Sequence, residues 1–478
     1  MSAAPDASSI LSCDEWVGGD VPSVRLPLVG TVSAESILPL ASRAAFVLLL
    51  AAAGTLLVHP GDLAAGLEDV QAYRVLLAGC ILTSLPALAG QLRMASVRGN
   101  AITCLVLLTV VAAGAPYLAG GDRREAWRAV DAVGKVSLLY LLVVGVVNSV
   151  PRLRAMLAAV AAFVLCMTAV ALLQYHGVVH LPGLAHVERH AVDATTDRTT
   201  VVVRLCGIGL FNDPNDLSLV LVVSVAACAY FLAAPRRRPG ERPALAGCVG
   251  LLLYALYLTH SRGGAIAAVS GLLVYLYARA SRRDALALTC LVVPLLTVAM
   301  LARPATAVLA DTGDTFQTRL ELWSGTFDAF RSAPLLGIGQ GRLVDVIGEV
   351  AHNSFLHAYA EMGLLGGTAF IGTFYLALRG LWRAAPADPE LARLRPYLLA
   401  ALASYAAGLL SLSRCYHAPT QLMIAITTAY LLLASRGGAP VAVPPMDGPC
   451  LRRISMVGLL FLAASYAFLR LMLQRGAP

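Results

Sequence analysis

The chain has 478 residues, 58% hydrophobic and only 13% charged, with 36 basic against 28 acidic side chains for a net charge of +8. A soluble protein keeps about a quarter of its residues charged to cover its surface, so this composition, with a mean hydropathy of +0.74, excludes a soluble multidomain protein. Arginine carries the positive balance, Lys135 being the lone lysine, and the arginines cluster between apolar runs. There they set membrane orientation rather than bind nucleic acid.

Residues 1–36 are mildly polar, with Asp6, Asp14, Glu15 and Asp20, and read as a cytoplasmic tail. They lack a basic start leading into a short apolar core, so the first helix is expected to insert as an uncleaved anchor. Apolar runs that cross a ~30 Å hydrocarbon core as helices are predicted at 37–58, 72–92, 99–118, 130–149, 153–175, 216–234, 243–260, 263–280, 284–302, 354–382, 396–413, 418–435 and 454–473. The expected fold is all-α and polytopic, with about 12–13 transmembrane helices. The 354–382 run is long for one span and predicts an extramembrane extension or a strong tilt. Asp131 and Lys135, one turn apart, are expected to pair.

Short basic loops fix the orientation: Arg93 with Arg98, Arg152 with Arg154, Arg236 to Arg242, Arg279 to Arg283, Arg379 to Arg395, and Arg436 with Arg452 and Arg453. The positive-inside bias assigns these to the cytoplasm. Two long loops, about 176–215 and 303–353, then face the periplasm, and loops of that length are usually functional or disordered. The second carries Phe316, Leu320, Trp323, Phe327 and Phe330 at helical spacing, predicting an amphipathic helix in the interface or against the bundle. Residues 37–203 form the first transmembrane region, 204–382 a catalytic core, 383–435 further spans, and 436–478 a flexible linker with an accessory helix. The ten cysteines show neither a CxxC pair nor metal-ligand spacing.

Polar patterns gather at outward helix ends. Residues 204–216 read RLCGIGLFNDPND, and Asn215 or Asp216 is expected to cap the following span. Arg204 there has no acidic partner at helical spacing. Residues 259–264, THSRGG, make a tight turn in which Arg262 breaks the orientation bias, either snorkelling to lipid phosphate or clamping a bound phosphate. Arg319 precedes Trp323, and the glycine run 334–341, PLLGIGQG, has neither the strand nor the lysine of a nucleotide loop. It reads as a flexible turn that brings backbone close to a substrate. His352, Asn353 and His357 open the tenth span; neutral imidazole is a proton acceptor near pH 7. On an ideal helix Glu361 lies opposite His352 and on the face of His357.

Taken together, the turn at 209–215, Ser-Arg-Gly at 261–263, Arg-x-x-x-Trp at 319–323, Pro-Leu-Leu-Gly-Ile-Gly at 334–339 and His-Asn-Ser-x-Leu with Glu-x-Gly at 352–363 resemble the O-antigen ligase and Wzy-type polymerase superfamily. The resemblance covers about residues 204–367. It implies a glycosyltransferase that needs neither metal nor other cofactor, acting on an undecaprenyl-pyrophosphate-linked glycan at the periplasmic face of a bacterial inner membrane. It further implies that His352 activates the acceptor hydroxyl and that Arg319, Arg262 and Arg204 bind the pyrophosphate, with Asn353, Glu361 and Asn215 in support. Lipid A-core, the growing glycan and a protein hydroxyl remain open as acceptors. A secondary transporter or flippase of envelope precursors is the alternative, and transporters place their polar groups near the bilayer midplane.

Overall fold

The computed structural model describes residues 34–62, 72–181, 187–192, 199–235, 238–279, 305–436 and 443–475, with Arg283 and Leu286. The chain falls into two units, Met1–Leu40 and Ala41–Pro478; the second carries the bundle. The described helices are α1 (Ala34–Val58), α2 (Ala72–Leu92), α3 (Met94–Gly99), α4 (Ala101–Ala119), α5 (Arg123–Val146), α6 (Val150–Tyr175), α7 (Pro214–Leu232), α8 (Glu241–Leu258) and α9 (Arg262–Arg279). They continue with α10 (Ala305–Ser332), α11 (Leu343–Ile347), α12 (Ser354–Arg383), α13 (Pro389–Gly408), α14 (Ala418–Ala434) and α15 (Gly448–Arg475).

Eight of these, α2, α4 to α8, α12 and α15, are long and apolar enough to cross a bilayer, and Ser42–Val58 and α14 are shorter apolar helices. The protein is a helical, multi-pass membrane protein. The helices α9 and α13, both predicted as spans, are not among the eight; they pack along one another, and α13 packs on α7 as well. The predicted span 284–302 lies outside the described residues apart from Leu286.

Lipid offers no hydrogen bonds, so helix ends need internal partners. Asn100, Asp122, Asp213, Asn353 and Asp388 supply them, each side chain accepting from backbone amides one turn on. The cap of α7 is therefore Asp213, not Asn215 or Asp216 as the sequence suggests. Pro214 occupies the first turn, and the helix starts there rather than at the predicted residue 216.

The bundle has two chemically distinct poles. At one, Arg152 donates to the Ser42 carbonyl, Arg154 pairs with Glu390 at 3.0 Å, and Arg436 donates to the Asn148 carbonyl at 2.7 Å. Contacts at the other pole join the end of α8 to the segment before α7 and to the end of α6: Arg204 donates to the Thr259 carbonyl, and Tyr254 lies 3.0 Å from His176. Asp131 and Lys135 pair with each other on the exposed face of α5, as their spacing predicts.

Two features depart from the sequence reading, the hairpin and the docked last helix, and a third decides between its alternatives. The first long loop holds a hairpin, β1 (Val187–Val192) against β2 (Thr199–Arg204), antiparallel with Val187 opposite Arg204, and it rests on α10. The stripe of α10 packs against protein: Leu320 and Phe327 are buried with Leu356 of α12 and Leu469 of α15. The last helix is consequently no loose accessory, since it packs along both α12 and α10. The described part of the linker before it is tied down too, Met446 donating to the Arg98 carbonyl and Ala101 to the Pro444 carbonyl.

The long 354–382 span resolves into two pieces. Gly363 adopts φ 63° and ψ −161°, which breaks α12 after its first nine residues. The glycine run fills the break: Ile338 and Gly339 donate to the Ala360 and Glu361 carbonyls at 3.0 Å, and Leu364 donates to Pro334 at 2.8 Å. The run therefore brings backbone to backbone within the protein.

Candidate active site

Four chain segments meet at the pole opposite the arginine-rich one. The first is the β2–α7 turn. Arg204, at 8% exposure, donates from Nε to Thr259 at 2.9 Å and from Nη2 to Asn215 Oδ1 at 3.2 Å. Asn215 also accepts from Ser261 Oγ at 2.7 Å, and Ser261 accepts from the Gly264 amide at 3.0 Å. Arg204 and Asn215 thus join the α7 turn to the α8–α9 turn. Exposed Arg262 opens α9 at that junction.

The second segment is α10. Trp323 Nε1 donates to the Ala351 carbonyl at 2.9 Å, so the helix is fastened beside His352. Arg319 lies one turn earlier, on the same face of α10, and is partly exposed.

The third segment is the entry to α12. His352 has φ 48°, a left-handed conformation that a non-glycine residue seldom adopts. It is held between the Trp323-bound Ala351 and the N-cap Asn353, which is 2% exposed and accepts from the Phe355 and Leu356 amides. Its imidazole Nε2 sits 3.0 Å from Glu349 Oε1 with the ring still partly open to solvent. Glu361, as the helical geometry predicts, faces His357 instead, with 3.2 Å between Oε2 and Nε2. Its other oxygen accepts the Leu343 amide at 3.2 Å, which ties the end of the glycine run to α12.

The fourth segment, 412–417, the sequence reading missed. The Arg414 guanidinium grips Asp216 with a two-pronged fork, Nε to Oδ1 at 2.7 Å and Nη2 to Oδ2. Its backbone amide donates to Ser354 Oγ at 2.8 Å. Burial works against the charge on Arg414, but the Asp216 carboxylate outweighs it and holds the guanidinium pKa above its ordinary value. Burial, with help from Arg414 and His357, depresses the His417 pKa to about 4, so this imidazole is neutral at pH 7. The available signal is that Arg414, like Arg262, stands at a helix end that the sequence reading assigns to the outward face, against the arginine bias. Its carboxylate partner lies 198 residues away, beyond the reach of local pattern.

Cations, a solvent-open imidazole and ordered amides at one pole suit chemistry on an anionic substrate. Residues 247–371 match the sequence model of the O-antigen ligase family, Wzy_C. This stretch is similar to the O-antigen ligase domain. The matched stretch holds Arg262, Arg319, His352, Asn353 and Glu361. Arg204, Asn215, Asp216 and Arg414 lie outside the matched stretch yet bond into the same pole. No curated protein matches the chain.

Proposed function

We propose that the protein transfers a glycan from an undecaprenyl-pyrophosphate-linked donor to an acceptor hydroxyl. The observation that carries this reading is the convergence of His352 and the arginine-bearing turns at one pole, within and around an O-antigen ligase domain. The acceptor oxygen bonds to the anomeric carbon as the bond from that carbon to the diphosphate oxygen breaks. His352 takes the hydroxyl proton, and Glu349 stabilises the imidazolium that forms. Negative charge grows on the departing diphosphate, where guanidinium forks fit phosphate oxygens. Arg319 and Arg262 meet that charge. Arg204 is committed to Thr259 and Asn215 and acts through them, shaping the turn that presents Arg262. Asn353 fixes the backbone entry beside His352, and Glu361 holds the glycine run in place.

The donor is already activated, so the reaction needs no nucleotide. Arginine at the opposite pole, in contacts made by Arg152, Arg154 and Arg436, supports a cytoplasmic position for that end by the positive-inside bias. The catalytic pole then faces the periplasm of a bacterial inner membrane. Lipid A-core, glycan and protein hydroxyls all satisfy this chemistry as acceptors.

The test is reconstitution of the purified chain in proteoliposomes with a polyprenyl-diphosphate-linked glycan and each acceptor class in turn. Mass analysis should show glycan joined to acceptor and free polyprenyl diphosphate released. Donor uptake into the vesicles without either product would overturn the reading in favour of a transporter.

A further inference from the structure

We infer that the Asp216–Arg414 fork is a positioning element that holds the diphosphate side of the site in register with His352. The inference rests on the transfer reaction proposed above.

One hydrogen-bonded chain links the two sides. It starts at the Thr259 carbonyl, passes through Arg204 to Asn215, and continues from the adjacent Asp216 into Arg414. The Arg414 backbone amide then reaches Ser354, the first residue of α12, next to the cap Asn353 and two residues from His352. The α7 and α8–α9 turns carry the cation Arg262; the α12 entry carries the base. Arg414 is the link between them.

The chemistry of the link suits a fixed distance. Two parallel bonds from guanidinium to carboxylate allow essentially one relative arrangement, which a lysine ammonium does not reproduce. Asp216 is 6% exposed, and a buried carboxylate without its partner carries a large desolvation penalty. The pair also borders a small cavity with Phe211, Tyr405 and His417. Displacing a base by about 1 Å from its substrate costs on the order of 100-fold in rate. Loss of the fork should therefore appear in turnover more than in donor affinity.

The experiment compares Arg414→Lys, Asp216→Asn and the double variant with wild type. The full chain is used in lipid nanodiscs with a polyprenyl-diphosphate-linked glycan as donor. Each single variant should lose kcat by about 100-fold with little change in donor KM. The double variant should lose no more than either single one, because the two residues act as a unit. Hydrogen–deuterium exchange supplies a readout independent of transfer. Residues 352–358 should exchange faster in each variant while 391–405 keep wild-type protection. Wild-type kcat in folded Arg414→Lys, a loss confined to donor KM, multiplying losses, or unchanged exchange at 352–358 would each overturn the inference. Absence of transfer by the wild-type chain would sink the reaction instead, and the exchange data would still decide the link.

Discussion

Gly337 and Gly363 meet backbone to backbone. A Cβ on Gly337 would sit 2.5 Å from the Gly363 amide nitrogen, and one on Gly363 would sit 2.6 Å from the Gly337 amide nitrogen. Both residues have positive φ, 84° and 63°, so a side chain is excluded by sterics and by backbone strain alike. Neither neighbour is a flexible side chain that can yield.

Alanine at either glycine should therefore destabilise the protein by about 3 kcal/mol or more. It should also detach the loop that carries the chain from α10 to His352. Thermal unfolding of Gly337→Ala and Gly363→Ala in detergent checks this. An unfolding midpoint equal to wild type would mean that the two strands of backbone do not cross.

Arg319 stands one turn from Trp323, which holds the Ala351 carbonyl. Arg319→Lys keeps the charge but not the planar fork, and should slow transfer by about 10- to 100-fold. Steady-state turnover with saturating donor is the measurement. Wild-type turnover would make Arg319 a residue that snorkels to lipid rather than one that meets the diphosphate.

Stability should depend on pH through His417. Its folded pKa of about 4 lies below the value of about 6.5 expected for the unfolded chain. Between those values the unfolded state binds more protons, so stability rises with pH. The contribution is complete above about pH 6.5 and is lost as pH falls toward 4. Thermal midpoints of wild type and His417→Gln between pH 4 and 7 check this: the variant should show the shallower fall on the acid side. Parallel curves would show that His417 does not titrate in this window.

Membrane class, the helix periods and the gathering of polar motifs at helix ends were legible because apolar runs and local spacing carry them. Glu361 facing His357 and the Asp131–Lys135 pair follow from 3.6-residue geometry alone. What local pattern misses is tertiary. The break at Gly363 depends on a glycine run more than 20 residues earlier filling the gap. Asp216 reads as a helix cap because its true partner, Arg414, is remote in sequence. The hairpin at 187–204 sits in a loop whose short, partly polar strands give little alternation to detect. The stripe on α10 reads equally well as lipid-facing or bundle-facing, and only Leu356 and Leu469 beside it decide for the bundle.

The most direct measurement is glycan transfer by purified wild type and His352→Ala, assayed side by side at matched abundance in the same lipid. His352 is partly solvent-open and lies outside the buried core, so the variant should fold normally. Transfer should fall by about 100-fold or more. Turnover by His352→Ala at the wild-type rate would contradict the assignment of His352 as the base.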